Sequence, residues 1–248
     1  MPIIVTAAPR ARVAVAAEPL PDNPQFSIII PVLNEAAYLD HSLARLFALE
    51  GVADLCEVII CDGGSEDESL EIVKQYACRI VHSDAGRARQ MNIASQAARG
   101  EFLLFLHADS TLPANFFNSF DANVEWGFFR LRLNGGTFIY RVIESAINLR
   151  ARLSQVAGGD QGLFFKRRFF QSLDGYPKIP LMEDIAISKL ARRKAKPVII
   201  DTAITSSSRR WQGNGIIKTV FLMWTLRLAF WLGVDPQRLY KIYYPQQG

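Results

Sequence analysis

The chain has 248 residues, 50% of them hydrophobic, and a formal net charge of +4. That length suits one large α/β domain with a generous core. So weak and dispersed a charge, with no RNA- or DNA-binding motif, argues against a nucleic-acid partner.

Residues 1–24 are rich in Ala and Pro and are broken by Arg10, Arg12 and Glu18. They lack the unbroken apolar stretch of a secretion signal and read as a disordered tail. Residues 26–33 (FSIIIPVL) then run into Asn34-Glu35, and Leu39, Leu43, Leu46 and Leu49 follow at helical spacing. Residues 57–61 (EVIIC) run into Asp62-Gly63-Gly64-Ser65. Ser65 and Glu68 have the spacing of a capping box for the next helix. Residues 79–81 run into His82-Ser83-Asp84, and residues 86–98 read as an Ala-rich helix that stops before Gly100, a suitable C′ residue. Residues 102–110 (FLLFLHADS) are an apolar run that ends at Asp109.

A short apolar run between turn signals reads as a strand buried on both faces. Strand–helix alternation with short connections implies an α/β fold, a Rossmann-like doubly wound and mostly parallel sheet with helices on both faces. The polar ends of the four strands then converge on one rim, where open α/β sheets bind ligands. Further elements are a strand at Trp126–Leu133, an amphipathic helix at 138–156 ended by Gly158-Gly159, a helix at 182–194 and a short strand at 198–201. Residues 216–232 are apolar on nearly every side, apart from Lys218 and Arg227. Cys56, Cys61 and Cys78 lack CxxC spacing and fall in or beside core elements, so they read as buried reduced thiols of a reducing, cytoplasmic compartment.

The rim has the composition of a nucleotide-diphosphate site. Asp62 precedes a Gly-Gly turn where backbone can approach a ligand. Arg87 and Arg89 open a helix, so guanidinium and helix dipole both favour anions. Asp109 can hold a divalent cation together with substrate phosphates. Gly159-Asp160-Gln161 is a second polar turn. Glu183-Asp184 begin a helix, whose positive end keeps a carboxylate ionised. Read alone, Asp62 and Asp109 suit helix caps equally well. The stretches Arg150-Ala151-Arg152 and Lys166-Arg167-Arg168 read as solvated faces.

Taken in order, IPVLNEAAYL, CDGGSED, AGRARQMN, GEFLLFLHADSTLP, GGDQGLFF and LMEDIAISKLARR resemble glycosyltransferase family 2, with the GT-A fold, over residues 26–212. GRARQMN and FLHAD are similar to a small bacterial subgroup, the arsenosugar-biosynthesis-type or diaponeurosporenoate-type glycosyltransferases. The resemblance implies that Pro31 and Glu35 line the nucleotide pocket, that Asp62 bonds the base and that Arg89, in preference to Arg87, contacts the nucleotide. It makes Asp109 the last residue of the metal-binding DxD motif, with Mg²⁺ or Mn²⁺ as cofactor, and Asp184 of the Glu183-Asp184 pair the catalytic base. It places Asp160, Gln161, Arg210 and Trp211 on the sugar and acceptor side, the last two over the diphosphate. Two positions depart from the pattern. His107 replaces the first Asp of DxD, and the QxxRW motif is reduced to Ser207-Ser208-Arg209-Arg210-Trp211, which argues against polymer extension.

The expected organisation is a tail (1–24), a glycosyltransferase domain (25–212) and an apolar C-terminal helix with its tail (213–248). The expected activity is inverting, non-processive transfer from a nucleotide-diphosphate sugar, UDP by family habit, to a hydroxyl or carboxylate of a small or lipid-like acceptor. Two other classes compete. A sugar-phosphate nucleotidyltransferase has a Gly-rich loop after its first strand, which is lacking here. A nucleotide-binding scaffold on membranes would treat His107 as a sign of a decayed metal site. The helix at 216–232 either lies in the inner face of the cell membrane, with Lys218 and Arg227 at headgroup level, or forms a homodimer interface.

Overall fold

The computed structural model describes residues 21–117, 120, 123–208 and 215–244. The expected tail lies outside these residues up to position 20, and Arg210 and Trp211 lie outside them as well.

The first half alternates strand and helix: β1 (Phe26–Val32), α1 (Ala36–Phe47), α2 (Val52–Leu55), β2 (Cys56–Asp62), α3 (Ser69–Val73), β3 (Cys78–His82), α4 (Arg87–Ala97) and β4 (Phe102–Phe105). There follow β5 (Ser110–Thr111), β6 (Trp126–Leu133), α5 (Phe138–Ser154), β7 (Phe164–Lys166), α6 (Arg167–Ser172), α7 (Glu183–Lys194), β8 (Val198–Ser206), α8 (Ile216–Trp231) and α9 (Pro236–Tyr243). The strands form an eight-stranded sheet in the order β3-β2-β1-β4-β7-β6-β8-β5. β3, β2, β1 and β4 pair in parallel, as does β6 with β8, while β7 runs antiparallel between β4 and β6.

Successive side chains of a strand point to opposite faces, and the core divides accordingly. Ile28, Ile30, Val58, Ile60 and Leu104 bury one face of the sheet against Leu39, Leu43 and Leu46 of α1. Ile29, Ile59, Leu103 and Phe105 bury the other against Ala88, Met91 and Ala94 of α4 and Ile187 and Ala191 of α7. At roughly 25 cal/mol per Å² of apolar surface, this two-sided burial favours sheet over helix for runs that propensity alone leaves ambiguous. Since β1, β2 and β4 run in parallel, Val32, Asp62 and the turn after Phe105 share one rim.

Several local details differ from expectation. The Ser65–Glu68 capping box does not form. The Ser65 amide donates to Asp62, its Oγ accepts from Asn34 N, and α3 starts only at Ser69. Gly100 is no left-handed C′ residue. It is glycine because a Cβ there would sit 2.5 Å from the Ser27 backbone nitrogen of β1. β8 runs on to Ser206, well past Asp201, because residues 203–206 continue the parallel pairing with β6 after an irregularity between Phe129 and Arg130. α5 ends at Gln155 in the left-handed region (φ 54°), before the Gly pair.

Candidate active site

The rim is built from backbone held by side chains. Asp62 closes β2 and is 2% exposed. Its carboxylate accepts the amides of Gly64 and Ser65 at 3.0–3.2 Å, which folds the Gly-Gly loop back over the strand end. His82 Nδ1, across on β3, is 3.6 Å from Asp62 Oδ2. The loop after β1 is stitched to this one. Asn34 adopts φ 54° and accepts the Glu66 amide at 2.8 Å, while the amides of Glu35 and Ala36 donate to Ser69 Oγ and Asp67 Oδ2. Pro31 is half-buried beside Cys61 in the β1–β2 register, and Glu35 stands half-buried at the start of α1.

Beneath both loops lies a residue that sequence reasoning missed. Gln90 of α4 is buried, and its Nε2 donates to Val32 O (2.9 Å) and Cys61 O (2.8 Å), joining the carboxyl ends of β1 and β2. Its signal was an amide side chain on the strand-facing side of an Ala-rich helix. Asn92 does a similar job two residues on, exchanging two 2.8 Å bonds with the backbone of Tyr176.

The two arginines of α4 take different paths. Arg89 forms an exposed ion pair with Asp84. Arg87 faces Glu183, Asp184 and Asp109. Partial desolvation opposes its charge, but Glu183, Tyr244, Asp184 and Asp109 outweigh it and raise its pKa. Both arginines are exposed, and of the two it is Arg87 that has the cleft carboxylates as charge neighbours.

The second half of the site forms where three segments meet. After β4 the chain turns through His107 and Asp109, both half-buried. Asp109 thus stands four residues beyond the strand, in the turn before β5, and not at its last position. Opposite lies Gly158-Gly159 and the 3-10 turn Gly159–Gln161. The third segment is the start of α7, where Met182 adopts φ 68° and aims Glu183 and Asp184 inward. Asp184 Oδ2 accepts the Gly159 amide at 2.7 Å and its Oδ1 accepts the Ile185 amide at 2.7 Å. The Gly pair is required by space. A Cβ on Gly159 would lie 2.8 Å from His107 Nε2, and one on Gly158 would lie 2.6 Å from Asp160 Oδ1.

Charge is concentrated here. Burial, then the neighbouring Asp184 carboxylate, pushes Glu183 up to about 7, with Arg87 pulling the other way. Burial also raises Asp160, against the pull of Arg227 and Arg150. Arg150 is lowered to about 10 by burial and by Arg227 beside it. It is therefore no solvated residue: it bonds Val156 O and Gln161 Oε1 from below the turn. Arg227 comes from α8, its Nη2 3.4 Å from where a Gly158 Cβ would be. It lines the cleft and does not sit at headgroup level. The Nε atoms of both arginines are buried without a hydrogen-bond partner. A lone charge inside the apolar stretch 219–231 was the available signal for Arg227, since such a charge seeks a buried counter-charge.

Gln161 differs from expectation. It is wholly buried, accepts the Gly158 amide at 3.1 Å and donates to Phe129 O at 3.3 Å, so its side chain holds the turn and does not face a sugar or acceptor. Asp160 remains at the cleft. Among the described residues no group of three or more His, Cys, Asp or Glu could hold a metal ion. Asp109 alone is a fit for a cation of the Mg²⁺ type only where substrate phosphates and water supply the other ligands.

Residues 27–126 match the family model described as Glycosyl transferase family 2. A Mycobacterium tuberculosis "PGL/p-HBAD biosynthesis glycosyltransferase" is 42% identical over 96 residues, which are 36% of this chain and 37% of that protein. The Staphylococcus aureus poly(ribitol-phosphate) beta-N-acetylglucosaminyltransferase TarS is 29% identical over 92 residues, 34% of this chain and 16% of that one. The matched segments thus span well under half the length of these relatives. Among solved structures, S. aureus TarS 1–349 with UDP-GlcNAc covers 74% of this chain and 58% of its own at TM-score 0.62 and 18% identity. The mannosyltransferase PcManGT from Pyrobaculum calidifontis, with GDP-Man and Mn²⁺, covers 86% of this chain and 64% of its own at TM-score 0.62 and 21% identity. The chain therefore has the GT-A fold, and its residues 27–126 carry a family 2 glycosyl transferase match.

Proposed function

We propose that this protein is an inverting, non-processive glycosyltransferase that takes a sugar from a nucleotide diphosphate, with Asp184 as its base. The observation that carries the reading is the placement of Asp184. It stands at the positive end of α7 and is fixed by the Gly159 amide, whose turn abuts His107 in the turn that bears Asp109. The loops after β1 and β2, with Pro31, Glu35 and Asp62, receive the nucleoside, and Arg87 draws the diphosphate towards the cleft. UDP is the favoured nucleotide only by family habit, and GDP enters the test beside it because the fold neighbours are solved with UDP-GlcNAc and with GDP-Man.

In the reaction, Asp184 accepts the proton of an acceptor hydroxyl as that oxygen attacks the anomeric carbon. The bond to the diphosphate breaks on the opposite face of the sugar, so one displacement inverts the centre. Inverting glycosidases place their base carboxylate by the same logic. Asp109 would hold a Mg²⁺ or Mn²⁺ ion shared with the donor, and such an ion supplies positive charge against the leaving diphosphate. A carboxylate acceptor arrives already ionised and needs no base, so the dependence on Asp184 separates the two acceptor classes. Cys56 and Cys78, pushed up to about 12 by burial, take no part in the chemistry and suit the reducing cytoplasm.

The test is a panel of nucleotide sugars with Mg²⁺ or Mn²⁺, scored for binding and for slow hydrolysis without acceptor. Binding and hydrolysis of one member support the reading. Pyrophosphate release from a nucleoside triphosphate and a sugar phosphate, with no sugar transfer, would replace it by nucleotidyl transfer.

A further inference from the structure

Helices α5 and α8 leave a large apolar surface uncovered. On α5 the exposed residues Phe138, Val142, Leu149 and Leu153 follow a helical repeat, while Tyr140, Ile143 and Ala151 are buried behind them. On α8, Phe221, Trp224, Leu228 and Trp231 share one face, with Trp224 and Trp231 each 71% exposed, while Leu226 is buried on the opposite side. The two helices lie together. Ile147 of α5 and Ile216 and Val220 of α8 pack on one cluster of Leu131, Leu133, Tyr140 and Ile143. Apolar stripes on two helices that pack on one cluster exceed the scattered hydrophobic residues normal for a protein surface.

We propose that α5 and α8 together form a docking face for the surface of an anionic lipid bilayer. Charge selects this occupant. The exposed charges around the stripes are Arg141, Arg152 and Lys218, and Arg238 and Lys241 follow on α9, against the single exposed acid Asp235 at its N-cap. The acid within α5, Glu144, is buried and paired with Arg141. A two-fold dimer would set the same patch against itself and bring these cations together. An acidic headgroup layer complements them and is attracted over a Debye length. Exposed Trp side chains beside basic residues suit the boundary between headgroups and acyl chains. Among the described residues no helix is long and apolar enough to cross a membrane, so the helices lie in the surface plane. Arg227, on the flank of α8, reaches Gly158. The cleft therefore opens beside the docked face, where a lipid-like acceptor would enter it.

Vesicle binding needs neither donor nor acceptor, so its outcome is independent of the transferase reading. The full chain is sedimented with phosphatidylcholine vesicles, with and without phosphatidylglycerol, beside W224S/W231S and L149S/L153S variants whose folding is checked by circular dichroism. The parent should pellet with the acidic vesicles, less so at high salt. Each double variant should bind at least about tenfold more weakly, the equivalent of 1.4 kcal/mol. A parent that stays in the supernatant overturns the proposal. So does an L149S/L153S variant that binds like the parent, because α5 is then not part of the face. A dimer that W224S/W231S splits, with no vesicle binding, assigns the face to a second copy and also overturns it.

Discussion

The Gly159 amide donates to Asp184 Oδ2 at 2.7 Å, so the proposed base is held by backbone from a turn 25 residues earlier in the chain. A Cβ at Gly159 would strike His107 Nε2, so this turn is packed against His107 and bonded to the base through the same residue. The base is thereby held in place by two backbone amides, those of Gly159 and Ile185.

Asp184→Asn tests this arrangement. The amide oxygen of Asn can still accept the Gly159 proton at the loss of the bond from the Ile185 amide, so the turn and donor binding should survive. Transfer to a hydroxyl acceptor should fall by about 10² or more, the usual worth of a general base. Initial rates at saturating donor measure it. Transfer at the parental rate would remove Asp184 from the mechanism and direct attention to Glu183.

Asp109→Ala should abolish metal-dependent binding of the nucleotide sugar while leaving metal-independent binding of the nucleoside. The reason is that Asp109 is the sole carboxylate of the turn after β4 and faces Arg87 across the cleft. Titration calorimetry with and without Mn²⁺ reads the difference. Equal donor affinity in the variant, with equal metal stimulation, would refute the assignment.

Gln90→Leu should destabilise the fold by about 2 kcal/mol, as two buried hydrogen bonds to strand-end carbonyls are lost. A Cβ on Gly63 would lie 3.0 Å from Gln90 Nε2, so the same change should loosen the Asp62 loop and weaken nucleotide binding. Urea unfolding at constant m gives the first effect and calorimetry the second. An unchanged midpoint would mean that the bonds carry no net stability.

The sheet was readable because its parallel strands are short apolar runs ended by polar turns, and burial on both faces leaves that pattern little freedom. The rim was readable for the same reason: Asp62 and the turn of Asp109 follow where strands stop. Partner choice was not readable. Periodicity shows which way Arg150 or Arg227 points along its helix, but not that two helices 77 residues apart bring both guanidiniums beneath one turn. Ser65 satisfied a capping pattern, yet Asp62 competed for its amide and prevailed. The extension of β8 was missed because Thr202, Thr205 and Ser206 look polar, although β-branched Thr suits a strand paired along β6.

Glu183 gives a pH test. Its folded pKa is about 7 against an ordinary 4.5, because it is 6% exposed and lies beside Asp184. Between those values the folded chain holds a proton that the unfolded chain has released. Raising the pH through this window therefore lowers stability, and above about pH 7 the loss is complete. The shift corresponds to at most about 3 kcal/mol. Asp160 is shifted in the same direction, so its contribution has the same sign. Glu183→Gln is neutral at every pH and should remove this part of the slope. Near pH 4.5 the variant should melt close to the parent, and at pH 8 it should melt several degrees higher. Paired thermal melts across the window measure the difference. A gap that stays constant from pH 4.5 to 8 would show that Glu183 does not titrate there.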